Sequence, residues 1–348
     1  MKKRIALIGG ARPNFMKITP LCRELKRENI PYFVVNTGQH FDNNMAGDFF
    51  KEFKIFPDYE LSPSHNSAIK QISDIMCGLE RIFIKEQPSM IVVVGDVNST
   101  LAAALVANKM NIKLAHVEAG LRSHNKKMPE EFNRVIVDHI SDNLFVTSEG
   151  GMLNLKKEGI TENVFFVGNI MIDTLKMFLK HLDSSEESFY FCTLHRAENI
   201  DDKKNFQNIL NALEVISKDE KIYLPLHPRT KKMAEKFGLS RRLNQIFSVL
   251  PPLSYKESLF YQKNAKLVLT DSGGIQEETS YLGVPCITIR TETERPITVK
   301  KGTNTIGGIT KGSILKSYRN KKLVRKKTRI SKWDGKAAER IVNIISKV

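Results

Sequence analysis

Cysteine is scarce here: four in 348 residues, with no Cys-x-x-Cys pair. Cys22, Cys77, Cys192 and Cys286 lie far apart. That spacing argues against a disulfide framework or zinc knuckle and for small buried hydrophobes. Long apolar runs are also missing. The longest, at 90–94 and 101–107, fall far short of the ~20 residues of a membrane helix. The basic start, Lys2-Lys3-Arg4, leads into a short apolar stretch that stops at Gly9-Gly10. A strand and turn explain this better than a secretion signal. A cytoplasmic protein without stable membrane association is expected. Acids are in deficit, 38 against 54 Lys and Arg, for a net charge of +16. Nine of the basic residues fall in 311–330, where there is no acid. Tyr318 is the sole aromatic among them, so a stacking platform for single-stranded nucleic acid is not supported. The run reads as a solvated helix surface, and no nucleic-acid partner is expected. Three chemical fingerprints are absent as well: Gly-x-Gly-x-x-Gly, His-Glu-x-x-His and Gly-x-Ser-x-Gly. A dinucleotide fold signature, a metal site and a serine-hydrolase elbow therefore find no support, and the expected cofactor and metal content is none.

What is present alternates. Apolar runs at 4–10, 32–36, 90–94, 114–117 and 144–147 read as buried strands. Between them, 15–29, 68–85 and 101–109 carry helical spacing. The pattern restarts with strands at 190–194, 222–225, 267–270 and 286–289 and helices at 205–217 and 275–281. A final helix at 335–348 places Ala337, Ile341 and Ile344 on one face. The polar stretch 178–188 marks a junction. The expectation is an α/β protein of two doubly wound Rossmann-like domains facing across a cleft. We assign 1–175 to the first domain, 185–330 to the second, and 331–348 to a helix that packs back toward the first. Such sheets bind ligands at the carboxyl ends of their strands, so the cleft is the expected site.

The polar residues gather at those ends. Asp271-Ser272-Gly273-Gly274 lies between a strand and a helix. Glycine backbone, a hydroxyl and a helix dipole can cradle a diphosphate, although a plain cap by Ser272 is equally open. Glu278, on the same helix, can accept from ribose hydroxyls or be a surface acid. Arg295 follows Glu292 and Glu294 and can contact phosphate. In the first half, Arg12 and Lys17 supply positive charge after the first strand. Asp96, Glu118 and Glu131 sit at or after strand ends, where neighbouring carboxylates can act as acid and base. Each can equally be ion-paired, with Arg122 and Arg134 as the partners in reach. His195 and His227 follow two strands of the second half in equivalent places.

Ten short segments then match a known family in joint order. They are Ala-Arg-Pro-Asn-Phe-Met-Lys from 11, Gly-Gln-His-Phe-Asp from 38, Gly-Asp-Val-Asn-Ser-Thr from 95 and His-Val-Glu-Ala-Gly-Leu-Arg-Ser from 116. Next come Pro-Glu-Glu-Phe-Asn-Arg from 129, His-Arg-Ala-Glu-Asn from 195, His-Pro-Arg-Thr from 227 and Asp-Ser-Gly-Gly-Ile-Gln-Glu-Glu from 271. Thr-Glu-Arg-Pro from 293 and Gly-Thr-Asn from 302 complete the set. Nearly end to end, the chain resembles the non-hydrolysing UDP-N-acetylglucosamine 2-epimerases, which have the glycosyltransferase B type fold. The resemblance implies a UDP-sugar substrate, a homodimer, and inversion of carbon 2 through loss and re-addition of UDP. It implies Asp96, Glu118 and Glu131 as the acid–base set and His195 as an aid to the leaving diphosphate. Arg12, Lys17, Arg134, Ser272, Gly273, Gly274, Glu278 and Arg295 are implied as substrate-binding, and His227 joins them as a substrate-binding candidate from its place after a strand. Two departures stand out. Ala11 replaces a common threonine, and Gln39-His40-Phe41 replaces Gln-His-Arg in a loop that helps bind a second, activating UDP-N-acetylglucosamine. Ala11, Phe41 and the His-Arg-Ala-Glu-Asn segment are shared with a sister group acting on a UDP-diacetamido uronic acid. Ile-Gln-Glu-Glu and Thr-Glu-Arg-Pro match the N-acetylglucosamine enzymes, and our reading follows these. A glycosyltransferase on the same fold is the other alternative, but it needs no base at carbon 2.

Overall fold

The computed structural model describes residues 4–39, 43–125, 128–180 and 182–347. The chain divides into two compact units, Met1–Thr174 with Ser331–Val348, and Leu175–Ile330. Strands of the first are β1 (Ile5–Gly9), β2 (Tyr32–Asn36), β3 (Tyr59–Glu60), β4 (Met90–Val94), β5 (Lys113–Ala119), β6 (Asn143–Val146) and β7 (Val164–Phe166). They form one sheet in the order β3-β2-β1-β4-β5-β6-β7, with every pairing parallel. Helices cover both faces of such a sheet, which is why β1 and β4 are apolar and buried at every position. The helix Asn98–Lys109 is lined by Ala102, Ala103, Ala104 and Ala107, all fully buried. Their small side chains let helices Ala68–Glu86 and Pro129–Ile140 lie close against it. Strand order reverses between β1 and β4, so a crevice opens at their carboxyl ends.

The second unit repeats the plan. Strands β8 (Tyr190–Thr193), β9 (Ile222–Pro225), β10 (Ser248–Leu250), β11 (Leu267–Thr270), β12 (Cys286–Thr288) and β13 (Asn304–Ile306) are ordered β10-β9-β8-β11-β12-β13, again all parallel. Here the order reverses between β8 and β11. The doubly wound α/β expectation holds for both units.

Some details differ from the sequence reading. The helix expected from 15 runs over Arg12–Arg27, because Pro13 sits in its first turn, where a missing N–H costs nothing. The basic run is helical only over Lys311–Asn320. Beyond it, Lys321 turns inward, donating to Thr303 O at 2.5 Å and Thr305 Oγ1 at 2.7 Å. Cys77 is exposed, unlike the other three cysteines. The last helix, Ala337–Ile345, buries Ile341, Val342 and Ile345 rather than Ile344 and packs on the helix Arg12–Arg27. Asp173 caps it by accepting from the Ala337 and Ala338 amides. His40 and Phe41 lie outside the described residues.

Candidate active site

In the first unit, Gly10 follows β1 where a Cβ would meet Ser99 Oγ at 2.0 Å and Thr37 Oγ1 at 2.4 Å. Only glycine fits. Asn14 Oδ1 accepts from the Gly10 and Ala11 amides, and Asn14 Nδ2 donates to Val94 O at 3.0 Å. One amide side chain thus stitches the ends of β1 and β4 together. From the next turn of the same helix, buried Lys17 pairs with buried Glu118. Glu118 adopts φ +76° at a bulge, where the β5–β6 register shifts between Val117 and Ala119. A bulge re-aims the side chain of its strand. Arg12, at the helix start, lies 5.3 Å over the Phe49 ring, and burial lowers its pKa against the opposing effect of Glu52.

Arg134 joins the other two acids. Its Nη2 donates to Asp96 Oδ2 at 2.6 Å and its Nη1 to Glu131 Oε2 at 2.9 Å. Glu131 also accepts from the Ser123 amide (2.8 Å), the Ser123 hydroxyl (3.0 Å) and the His124 amide (2.9 Å). Burial pushes the Glu131 carboxyl up, but these donors and Arg134 outweigh it and hold it below the usual range. The ion-pair alternative is thus realised for all three acids, through Lys17 and Arg134. Arg122 instead serves Asp138 and Glu158. Asp96 is the most open of the three, its side chain 29% exposed against 3% for Glu118 and 8% for Glu131.

In the second unit, buried Asp271 follows β11 and faces the end of β8. Its Oδ1 lies 3.1 Å from His195 Nδ1, and its Oδ2 accepts from the His195 and Arg196 amides at 2.8 and 2.9 Å. Burial raises the Asp271 pKa, but His195 and the two amides outweigh this and keep it low. The Oδ1 contact lies outside hydrogen-bond geometry, so the fixed carboxylate acts on the imidazole through its charge. The structure brings His227 beside His195, with ring centroids 5.4 Å apart. His227 Nδ1 accepts from the Arg229 amide at 3.1 Å and caps the helix Pro228–Phe237.

Ser272 precedes the helix Gly273–Leu282, but its side chain makes no capping bond. A Cβ at Gly273 or Gly274 would meet nothing within 4 Å. The first turn thus has no side-chain cap and open space beside its glycines, an arrangement suited to an anion. Glu278, buried on the same helix, accepts from Tyr255 Oη and Gln262 Nε2, each at 2.8 Å. Burial pushes its carboxyl up to about 7. Arg295 Nε lies 2.9 Å from Glu277 Oε1 on that helix. Arg290, fully buried, donates to Glu198 and Glu294. Burial acts to raise Glu294, but Arg295 and Arg290 outweigh it and hold the carboxyl at about 2.

Sequence reading overlooked Asp271 as a site residue. The rule that selected Asp96 and Glu118, an acid directly after an apolar strand, applies to it equally. It also overlooked Asp138, which shares a helix face with Glu131 and Arg134 at positions i, i+3 and i+7. Among the described residues, no group of three or more His, Cys, Asp or Glu is placed to hold a metal ion.

Comparison with known proteins finds relatives over nearly the whole chain. The family model for UDP-N-acetylglucosamine 2-epimerase matches residues 23–346. The UDP-N-acetylglucosamine 2-epimerase of Methanocaldococcus jannaschii is 40% identical over 99% of both chains. The UDP-2,3-diacetamido-2,3-dideoxy-D-glucuronate 2-epimerase of Pseudomonas aeruginosa is 38% identical over 91% of both. Among solved structures, the M. jannaschii UDP-GlcNAc 2-epimerase in complex with UDP-GlcNAc and UDP superposes with a TM-score of 0.91 at 40% identity, covering 99% of this chain and 100% of that one. Two doubly wound parallel sheets, acids at the strand ends of one and an open helix start in the other accompany a match over nearly the whole chain, and the protein belongs to the UDP-N-acetylglucosamine 2-epimerase family.

Proposed function

We propose that this chain interconverts UDP-N-acetylglucosamine and UDP-N-acetylmannosamine. The observation that carries the reading is the set of three carboxylates of the first unit, Asp96 and Glu118 at strand ends and Glu131 in the first turn of the helix Pro129–Ile140, with Asp96 and Glu131 joined by Arg134. Inversion at carbon 2 needs a base on one face of the sugar and an acid on the other. A carboxylate takes the carbon-2 proton, the electron pair forms the C1–C2 double bond, and UDP departs from carbon 1. The 2-acetamidoglucal then accepts a proton on the opposite face as UDP adds back to carbon 1. The sequence is redox-neutral. His195, next to the Asp271 carboxylate, assists the diphosphate as it leaves, with His227 beside it. Ser272, Gly273, Gly274 and Arg295 hold the diphosphate, and Glu278 the ribose. Arg12, Lys17 and Arg134 supply positive charge to the substrate.

Incubation with UDP-N-acetylglucosamine in deuterium oxide tests this. Deuterium is expected at carbon 2, together with UDP-N-acetylmannosamine. Sugar recovered without deuterium and without the second epimer would sink the reading. A second reading, a UDP-diacetamido uronic acid as substrate, is favoured by the Pseudomonas relative. Competition of the two sugars for one preparation decides between them.

We also propose a cytoplasmic homodimer. No described helix is long and apolar enough to cross a membrane. Ile69 and Phe132, 83% and 64% exposed, support a self-association face. They lie on helices whose first turns are linked by hydrogen bonds from Asn98 to Gln71 and from Asn133 to Asn98. Light scattering that finds only monomer would remove the dimer.

A further inference from the structure

A buried charged cluster lies behind the acids of the first unit, and the reaction above makes no use of it. His116 on β5 is 1% exposed. Its Nδ1 lies 2.6 Å from Asp138 Oδ1 and its Nε2 2.9 Å from the carbonyl oxygen of Gly95. Asp138 Oδ2 accepts from the Gly120 amide at 3.0 Å and from Arg122 Nη1 at 2.7 Å. Arg122 closes the cluster with two parallel bonds to Glu158, at 2.7 and 2.6 Å.

The donor inventory fixes the protonation of the ring. A carbonyl oxygen only accepts. A carboxylate that already holds a guanidinium and an amide is ionised and also only accepts. Both ring nitrogens of His116 therefore donate, and the side chain is an imidazolium. Two cations, His116 and Arg122, then balance two anions, Asp138 and Glu158, which is the condition for keeping charge inside a fold.

What the cluster grips is the backbone that carries the acids. His116 comes two residues before Glu118 and Gly120 two after, while Gly95 immediately precedes Asp96. All three are tied to one carboxylate, directly or through the ring. Gly95 turns at φ +71°, where a Cβ would lie 3.3 Å from Lys17 Nζ and 3.5 Å from Glu118 Oε2. A shift of the Gly95 carbonyl would therefore move Asp96 relative to the Lys17–Glu118 pair.

We propose that His116 is a positioning residue of the epimerase. As an imidazolium locked by Asp138, it pins the Gly95 carbonyl and fixes the spacing between Asp96 and Glu118. The proposal rests on the epimerase reading above.

Nitrogen NMR of the full chain carrying isotope-labelled histidine reads the ring directly. One histidine, lost in His116→Gln, is expected to show both nitrogens protonated. A neutral tautomer at that position overturns the proposal, whatever the enzyme's activity. Kinetics read the positioning. His116→Gln keeps a donor for Gly95 but loses the charge. Its kcat is expected to fall on the order of a hundredfold, with KM nearly unchanged and UDP binding intact. A folded variant with normal kcat overturns the proposal, as does one in which KM rises while kcat holds. Should that variant fail to fold, Glu158→Gln, at the more exposed end of the cluster, carries the same kcat-against-KM split with a smaller drop. A wild-type chain that gives the NMR signature but no epimerisation removes the function and the positioning role while leaving the imidazolium.

Discussion

The acids of the first unit and the helix start of the second treat charge in opposite ways. In the first, Asp96, Glu118 and Glu131 are each held by a cation, and Glu131 by three further donors. In the second, the opening turn of the helix Gly273–Leu282 carries no side-chain cap and has open space beside its glycines. One site spends its hydrogen-bonding capacity on itself. The other leaves it for a ligand. Groups that must transfer protons need fixed geometry before substrate arrives, whereas groups that bind an anion need unspent donors. Substitutions should therefore separate turnover from affinity along the same line.

The largest effect should come from opening the first mesh. Glu131→Gln keeps an acceptor for the 123–124 amides but abolishes the charge, and kcat should fall about a thousandfold, within the usual range for a lost acid or base. UDP affinity, measured by calorimetry, should not move; a near-normal kcat would take Glu131 off the list. Next comes pH. Glu278 titrates at about 7 when folded against an unperturbed 4.5. The folded state thus holds the proton more tightly, so this stability is full below 4.5 and is lost as pH rises through about 7. Up to roughly 3 kcal/mol is at stake. Urea melts across that window should show the loss in wild type and not in Glu278→Gln. Equal slopes would contradict the burial argument.

His195→Ala should lower kcat about a hundredfold, and Asp271→Asn should do so less, since it spares the ring. An Asp271→Asn enzyme at full speed would show that the imidazole does not need that charge. The smallest effect sharpens the comparison most. Gly273→Ala meets open space, so stability should stay within about 0.5 kcal/mol while UDP binds about tenfold more weakly. Gly10→Ala, driven into Ser99 and Thr37, should instead destabilise by about 1 kcal/mol or more. Equal melting curves for the two variants would erase the distinction between the sites.

The sequence made the sheets legible because buried parallel strands such as 90–94 and 267–270 are continuous apolar runs. It also showed where acids follow strands. It did not show that Lys17 would pair with Glu118 or that Arg134 would reach Asp96, because side chains 101 and 38 residues apart in sequence meet only after the sheet is assembled. His116 and Asp138 stayed hidden for the same reason. A histidine inside an apolar strand looks like core until its partner on another element is placed. The short strands β3, β7, β10 and β13 escaped notice because runs of two or three residues carry no periodicity.

Glu118 keeps a backbone angle of +76°, which favours glycine over every other residue. Holding a side chain there costs about 1–3 kcal/mol. A glycine at this position would relax the strand and delete the carboxylate in one step. The exchange would also leave buried Lys17 without its partner, at a cost of about 3–5 kcal/mol that outweighs the relief. Position 118 is therefore one where durability and work pull the same codon in the same direction, against the preference of the backbone.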